Sequence, residues 1–437
     1  MKICAALVVL AVSGPWASAQ APAQSTGAAL TPTERRIAAA EEAIRKDPGP
    51  YQAYDDLAYN LVKLAEETSD ARDLEKAEAA LAKSFAIAPK NFQGEKTEVF
   101  ALLAEHEYSK ALDEAKALNK QTPDDVLIWG YLADAESALG DYDDAEKAAQ
   151  WMINLRPGNV PGLLRGAYLR SVWGDADGAM EFLNQAFQET PPFETGDVAS
   201  ILATMAEIQL AAGKAETAAK LDEEALRAFP DYWRALASLA RARTAQRRFA
   251  EALELLEKRN ARSPRPQSLY ALAETLERAG RSDEAKRAYA SFERQARQEI
   301  NQADNANLEL VFYYTDHASN PAEALRLASS EAARRHDVYT LDAYAWALHA
   351  SHDDAGARTE IARALAVGVR DAGIFYRAGA ISASLGDRAA AAKYMRQSLA
   401  LDPAPEVSPA ARQALGTLGS SPGSKAVAAS ASSTGHL

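Results

Sequence analysis

The sequence predicts an all-α protein, a solenoid of about ten helix–turn–helix hairpins. Three observations lead there. First, residues 126–157, VLIWGYLADAESALGDYDDAEKAAQWMINLRP, read as two amphipathic helices. Trp129, Leu132, Ala133 and Glu136 recur with a helical period, Gly140, Asp141 and Tyr142 interrupt it, Ala145, Ala149 and Met152 resume it, and Pro157 ends it. Second, the stretch carries small residues where its helices must cross: Ala133 and Ala145 leave room for close approach, and bulky neighbours fill the gaps beside them. Third, the same arrangement returns, and the stretch that opens at Val160 starts 34 residues after Val126. One hairpin cannot bury its own apolar face, so such a pattern demands neighbours of the same kind, stacked in a row.

The chain begins with a segment of another type. Lys2 is a small basic region, residues 3–12 are apolar but too short to span a bilayer, and Ala17-Ser18-Ala19 is a small-residue cleavage site. Residues 1–19 are therefore expected to be a signal peptide, removed in a mature chain that is periplasmic or secreted. The single cysteine, Cys4, leaves with it, which excludes disulfides, thiolate metal sites and a cysteine nucleophile from the mature protein. Residues 20–30 read as a flexible leader. Thr31-Pro32-Thr33-Glu34 then starts a helix, with Thr31 as N-cap and Glu34 three residues on, and residues 31–48 form an N-terminal capping helix.

The hairpin array occupies residues 49–403. Its first unit, near residues 51–89, has Ala77, Leu81 and Ser84 in its second helix, and its turn is expected to be swollen by residues 66–73. The second is weaker, with Val99 where a small residue is usual. The fourth has Ala167, Gly174, Ala179 and Ala186. Residues 191–196, PPFETG, form a short insertion, the expected bend or loop of the array. The fifth, sixth and seventh units carry Ala206 and Ala218, Ala240 and Ala252, Ala273 and Ala285. The eighth has Phe312 at the small position, and the ninth contains Ala345 and Ala357. The tenth is clear again, with Gly379, Gly386, Ala391 and Pro403. A C-terminal capping helix at 404–418 covers the last apolar face, and residues 419–437, rich in Ser, Ala and Gly, are expected to be disordered.

Counted from Val126, the 126–157 stretch has Trp at 4, Leu at 7, Ala at 8, Gly at 15, Tyr at 17, Ala at 20 and Pro at 32. This resembles the tetratricopeptide repeat, of the kind found in exported bacterial proteins, and the resemblance extends over the ten units. It implies a right-handed superhelix whose first helices line a concave wall, and a groove for an extended peptide or a partner helix. Repeat positions 5, 6, 9 and 13 place candidate partner-binding residues on that wall. They are Tyr131, Asp134, Arg165, Tyr168, Glu207, Arg241, Tyr270, Glu274, Glu309, Tyr313, Asp342, Trp346, Tyr376 and Arg377. Aromatic and arginine side chains in a concave surface are typical interface anchors. Some relatives grip a terminal carboxylate through Lys and Asn in the groove, a set absent here.

Other chemistries find little support. The formal net charge is −13, and no basic stripe suits nucleic acid or an anionic membrane; no later stretch is apolar enough to span a bilayer. There is no Gly-rich phosphate loop, no G-x-S-x-G motif and no sign of a cofactor. The best metal-like cluster is His349, His352, Asp353 and Asp354, in what reads as the polar turn of the ninth unit. The expectation is a non-catalytic scaffold or adaptor that binds a protein or peptide on its concave face. The alternatives are a structural spacer or accessory subunit of a cell-envelope assembly, and a metal-dependent protein using the His349 region.

Overall fold

A computed structural model of the chain describes residues 30–401 and 408–419. The expected signal peptide, nearly all of the leader, Pro403 and residues 420–437 lie outside the described residues. Met1–Leu30 and Thr31–Leu437 form separate units, and every described helix belongs to the second.

Among the described residues there are 22 helices and no strand. Helix α1 (Pro32–Lys46) is followed by ten antiparallel pairs. The first five are α2 (Tyr51–Thr68) with α3 (Ala71–Ile87), α4 (Phe92–Ala104) with α5 (Tyr108–Gln121), α6 (Val126–Leu139) with α7 (Tyr142–Leu155), α8 (Val160–Val172) with α9 (Ala176–Glu189) and α10 (Thr195–Ala211) with α11 (Ala215–Ala228). The rest are α12 (Trp233–Ala245) with α13 (Phe249–Arg262), α14 (Pro266–Arg278) with α15 (Ser282–Ala296), α16 (Asn307–Asp316) with α17 (Pro321–Ala332), α18 (Val338–Ala350) with α19 (Asp354–Ala366) and α20 (Ala372–Ser384) with α21 (Arg388–Leu401). Helix α22 (Ser408–Gly419) closes the series.

The small-residue pairs are where the helices touch. Ala133 and Ala145, Ala167 and Ala179, Ala206 and Ala218, and Ala345 and Ala357 are all fully or almost fully buried. At Gly379 an added Cβ would meet the Met395 side chain at 2.9 Å. Helix α1 starts on a complete capping box, in which the Thr31 hydroxyl accepts from the Glu34 N–H and the Glu34 carboxylate accepts from the Thr31 N–H at 2.7 Å.

One expectation needs correction. The first turn is not swollen: residues 66–73 mostly lengthen α2 and α3 to 18 and 17 residues, leaving Ser69 and Asp70 between them. The insertion at 191–196 forms a short loop and an extra N-terminal turn on α10, which has 17 residues. Both lengthenings serve contacts far along the chain. Glu194 receives Arg36, Asp197 receives the Lys63 ammonium at 3.0 Å, and Gly196 packs against the Glu67 side chain.

Those contacts belong to a seam. The turn inside each of the first four hairpins lies against the link about five and a half hairpins further on. The Ser263 hydroxyl donates to the Ser69 carbonyl at 3.0 Å, 194 residues apart. His106 meets Asp304 at 3.2 Å, the His336 N–H donates to the Leu139 carbonyl at 2.9 Å, and the Val338 N–H donates to the Tyr142 hydroxyl at 3.1 Å. Gly174 lies against Gly368, where a Cβ on Gly174 would sit 2.6 Å from the Gly368 carbonyl oxygen. The array thus coils onto itself, and the expected groove is bordered by the next turn of the coil.

Each hairpin turn holds one residue in the left-handed region: Gly140, Gly174, Gly213, Gly280 and Gly386 in five, and Ser69, His106, Arg247, Ser319 and His352 in the others. A side chain there is strained. Arg247 is exposed and makes no ion pair among the described residues. Arg247→Gly is therefore expected to stabilise the protein by about 0.5–1 kcal/mol, the strain relieved less the entropy glycine loses on folding. A denaturant melt showing a loss would contradict it.

Candidate functional site: the inner wall of the coil

The first helices of successive hairpins face the interior. Three pairs of the expected wall residues are bound to one another or to a neighbour across adjacent hairpins. Arg165 pairs with Asp134 and also donates to the Gly130 and Pro161 carbonyls, each at 3.0 Å. Arg234 pairs with Glu207 at 2.8 Å. Arg377 reaches Asp342 through Nε at 2.8 Å and lies 4.7 Å from the centre of the Phe312 ring. Each acid belongs to one hairpin and its arginine to the next, so these pairs fix the stacking register. Burial raises the Asp134 and Asp342 carboxyls, and their arginines pull them back.

Several expected aromatics fill gaps. Tyr131 is buried and stacks on Phe100, their centres 5.9 Å apart. Tyr270 packs on Tyr289 and Phe292. Tyr313 stacks on Tyr289, and its hydroxyl is 3.4 Å from Glu293. The Trp346 indole N–H donates to Asp316 at 2.7 Å while its ring lies between His349 and Tyr376. Glu274 is 3.9 Å from Arg278. Among the described residues no group of three metal-ligating side chains converges. His349 is held by Asp354, and His352 stands in the left-handed turn.

What remains open to the interior is a small set. Tyr168 is 41% exposed and Tyr339 is 49% exposed. Arg241 is exposed and has no ion-pair or hydrogen-bond partner among the described residues. They come from hairpins four, six and nine, and Tyr339 lies within electrostatic reach of both Tyr168 and Arg241. Burial raises the Tyr168 phenol, with the neighbouring Tyr142 and Tyr339 phenols adding to it; burial and Asp371 raise the Tyr339 phenol, and Arg241 opposes them. The interior is narrow elsewhere too. Enclosure and the nearby Asp134 push the Glu66 carboxyl up to about 7, against Arg165, Lys63 and Arg234. Glu66 reaches interior solvent, but protein on every side limits how well that solvent screens it.

Tyr168 and Arg241 are legible by counting positions 5, 6, 9 and 13. Tyr339 and Arg234 are not, because they stand at position 2 of their hairpins, as do Ser200 and Gln267. Counting position 2 as well would have found them. Glu66 escaped because α2 runs longer than the repeat pattern allows.

Residues 372–405 match the family model described as the tetratricopeptide repeat, so the chain contains one such repeat in its tenth hairpin. No curated protein matches the chain. Among solved structures, the APC/C hetero-tetramer Cut9–Hcn1 is similar at 14% identity, covering 88% of this chain and 80% of that one, with a TM-score of 0.49. The human IFIT1 dimer with m7Gppp-AAAA is similar at 13% identity over 84% and 86%, also at 0.49. PilW, a type IV pilus biogenesis factor, is similar at 16% identity over 47% of this chain and 93% of its own, at 0.40. At TM-scores below 0.5 none of these likenesses bears on ligand or partner.

Proposed function

We propose that the chain is a non-catalytic, exported scaffold that holds a segment of a protein partner inside its coil. The observation that carries this reading is the Tyr168, Arg241 and Tyr339 set. Almost every other large wall residue is paired or packed, whereas these three keep contact surface free. Tyr offers a rigid apolar body with a polar tip, and Arg a planar fork for a carboxylate. The segment that fits has apolar side chains beside an acidic one. The remaining wall residues set the shape of the space around it.

The seam favours a second reading. A coil whose turns are bonded to each other is stiff along its axis, which suits a spacer in an envelope assembly. One experiment separates the two. The mature protein is used to capture partners from its own envelope, beside a Tyr168→Ala/Arg241→Ala/Tyr339→Ala variant with an unchanged circular dichroism spectrum. The scaffold reading expects capture to fall at least tenfold, since anchors of this type typically contribute about 2 kcal/mol each. Equal capture by both proteins would leave the spacer.

A further inference from the structure

A cavity of about 450 Å³ lies in the seam, between the first two hairpins and the N-terminal ends of α12 and α14. Its volume is in the range of small-molecule sites. Ala65, Leu74, Leu103 and Ala104 give it an apolar wall, and the Trp233 indole faces them. Three arginines reach it. Arg234 is committed to Glu207, and Arg265 to Asp304. Asp304, which burial alone would raise, is held down to about 2 by the hydrogen bonds of His106 and Arg265.

Arg259 is the exception. Its guanidinium lies 5.6 Å from the centre of the Trp233 ring, and its Nε is buried with no hydrogen-bond partner. It makes no ion pair among the described residues, whereas its neighbours Lys258 and Arg262 share Asp231. Burial lowers it to about 10, with Glu309 acting against that from a distance, so it remains charged at neutral pH.

The repeat itself marks Arg259 as a departure. The corresponding position is Met152 in the third hairpin, Ala186 in the fourth, Ala225 in the fifth, Phe292 in the seventh and Ala364 in the ninth, all fully buried. The eighth hairpin has an ion there too, Glu331, but that carboxylate is met by Asn307 at 2.8 Å and by Arg334 at 3.3 Å. A stacking position that five of these seven hairpins fill with apolar side chains carries, in the sixth, a cation that makes no ion pair among the described residues.

We propose that the seam cavity binds a small organic carboxylate with an apolar body, its carboxylate on the Arg259 guanidinium and its body against Trp233 and the apolar wall. The indole lies within cation–π range of the guanidinium, and no hydrogen bond among the described residues commits the guanidinium nitrogens, so a carboxylate is the group that arginine would take there. The site is separate from the Tyr168, Arg241 and Tyr339 set, so either reading can fail alone.

Benzoate is the probe, with benzamide as its uncharged counterpart, titrated into the full mature chain at low salt and followed by calorimetry. Benzoate is expected to bind saturably and at least tenfold more tightly than benzamide, and Arg259→Met to abolish the difference. An apolar tetrapeptide with a free C-terminus, beside its amidated form, tells a free acid from the end of a chain. Binding by either carboxylate source that depends on Arg259 supports the site. Equal binding of acid and amide, binding unchanged in Arg259→Met, or no saturable binding of either source overturns it. A second readout guards against a merely structural Arg259. Without ligand, Arg259→Met, the residue the third hairpin already uses, is expected to melt at or above the wild-type temperature. A clear drop would assign Arg259 to the fold and end the proposal.

Discussion

Replacing Asp222 by asparagine is expected to remove a pH dependence of stability that the wild type carries between about pH 4 and pH 8. Asp222 is on α11, fully buried, with no geometric hydrogen bond to either carboxylate oxygen. The equivalent residues are Ala149, Leu183, Leu256, Ile361 and Met395, all buried. Burial pushes the Asp222 carboxyl up to about 8, the adjacent Ser238 hydroxyl pulling the other way, with Glu207 raising it, Arg241 lowering it and Glu223 raising it. Between the unfolded value near 4 and the folded value, the folded state holds a proton that the unfolded chain has released. Folding therefore loses stability as pH rises through that window, by on the order of 5 kcal/mol for a shift of this size. The asparagine variant keeps the shape and cannot ionise. Urea melts of both proteins should agree near pH 4 and diverge towards pH 8, with the variant more stable. Parallel pH profiles would show that Asp222 is charged or solvated in the fold.

Asp222 also shows where the sequence was readable. The hairpins follow from local signals: Ala133 against Ala145, Ala167 against Ala179, a break at Gly140 or Gly174, a closing proline. These are properties of segments about 34 residues long, which one pass along the chain can see. The wall positions follow from the same count, so Asp134 and Arg165 fall on the inside as expected. That they bind each other depends on how closely adjacent hairpins stack, and the count does not supply that distance. Tyr131 and Tyr270 fall on the inside too, but as packing between hairpins. The seam was not legible at all. Ser69 with Ser263 and Tyr142 with Val338 are joined by the pitch of the whole coil, which accumulates from small rotations at every interface. For the same reason the long α2 reads as a loose turn in sequence and as a reach to α10 and α12 in the fold. The Trp233 indole N–H donates to the Glu66 carbonyl at 2.8 Å there.

Gly140→Ala is expected to destabilise the protein by about 3 kcal/mol, and Gly386→Ala by only about 1 kcal/mol, although both glycines do the same local task. Each ends the first helix of its hairpin in the left-handed region, with φ of 94° and 79°. An alanine bears the same backbone strain at either site, which sets the smaller figure. The surroundings differ. Nothing lies within 4 Å of a Cβ on Gly386, whereas a Cβ on Gly140 would meet the His336 carbonyl carbon at 2.5 Å and the Asp337 nitrogen at 2.7 Å. Those are backbone atoms of the next turn of the coil, and they cannot move aside as a flexible side chain would. The seam must part there, releasing the His336 N–H from Leu139 and the Val338 N–H from Tyr142. Because an array need not unfold in one step, the melt alone is an incomplete measure. Hydrogen exchange at His336 and Val338 reads the seam directly. Both amides should exchange at least tenfold faster in Gly140→Ala and at the wild-type rate in Gly386→Ala. Equal losses in the two variants, with those amides still protected in both, would mean that the turns of the coil do not touch at Gly140 in solution.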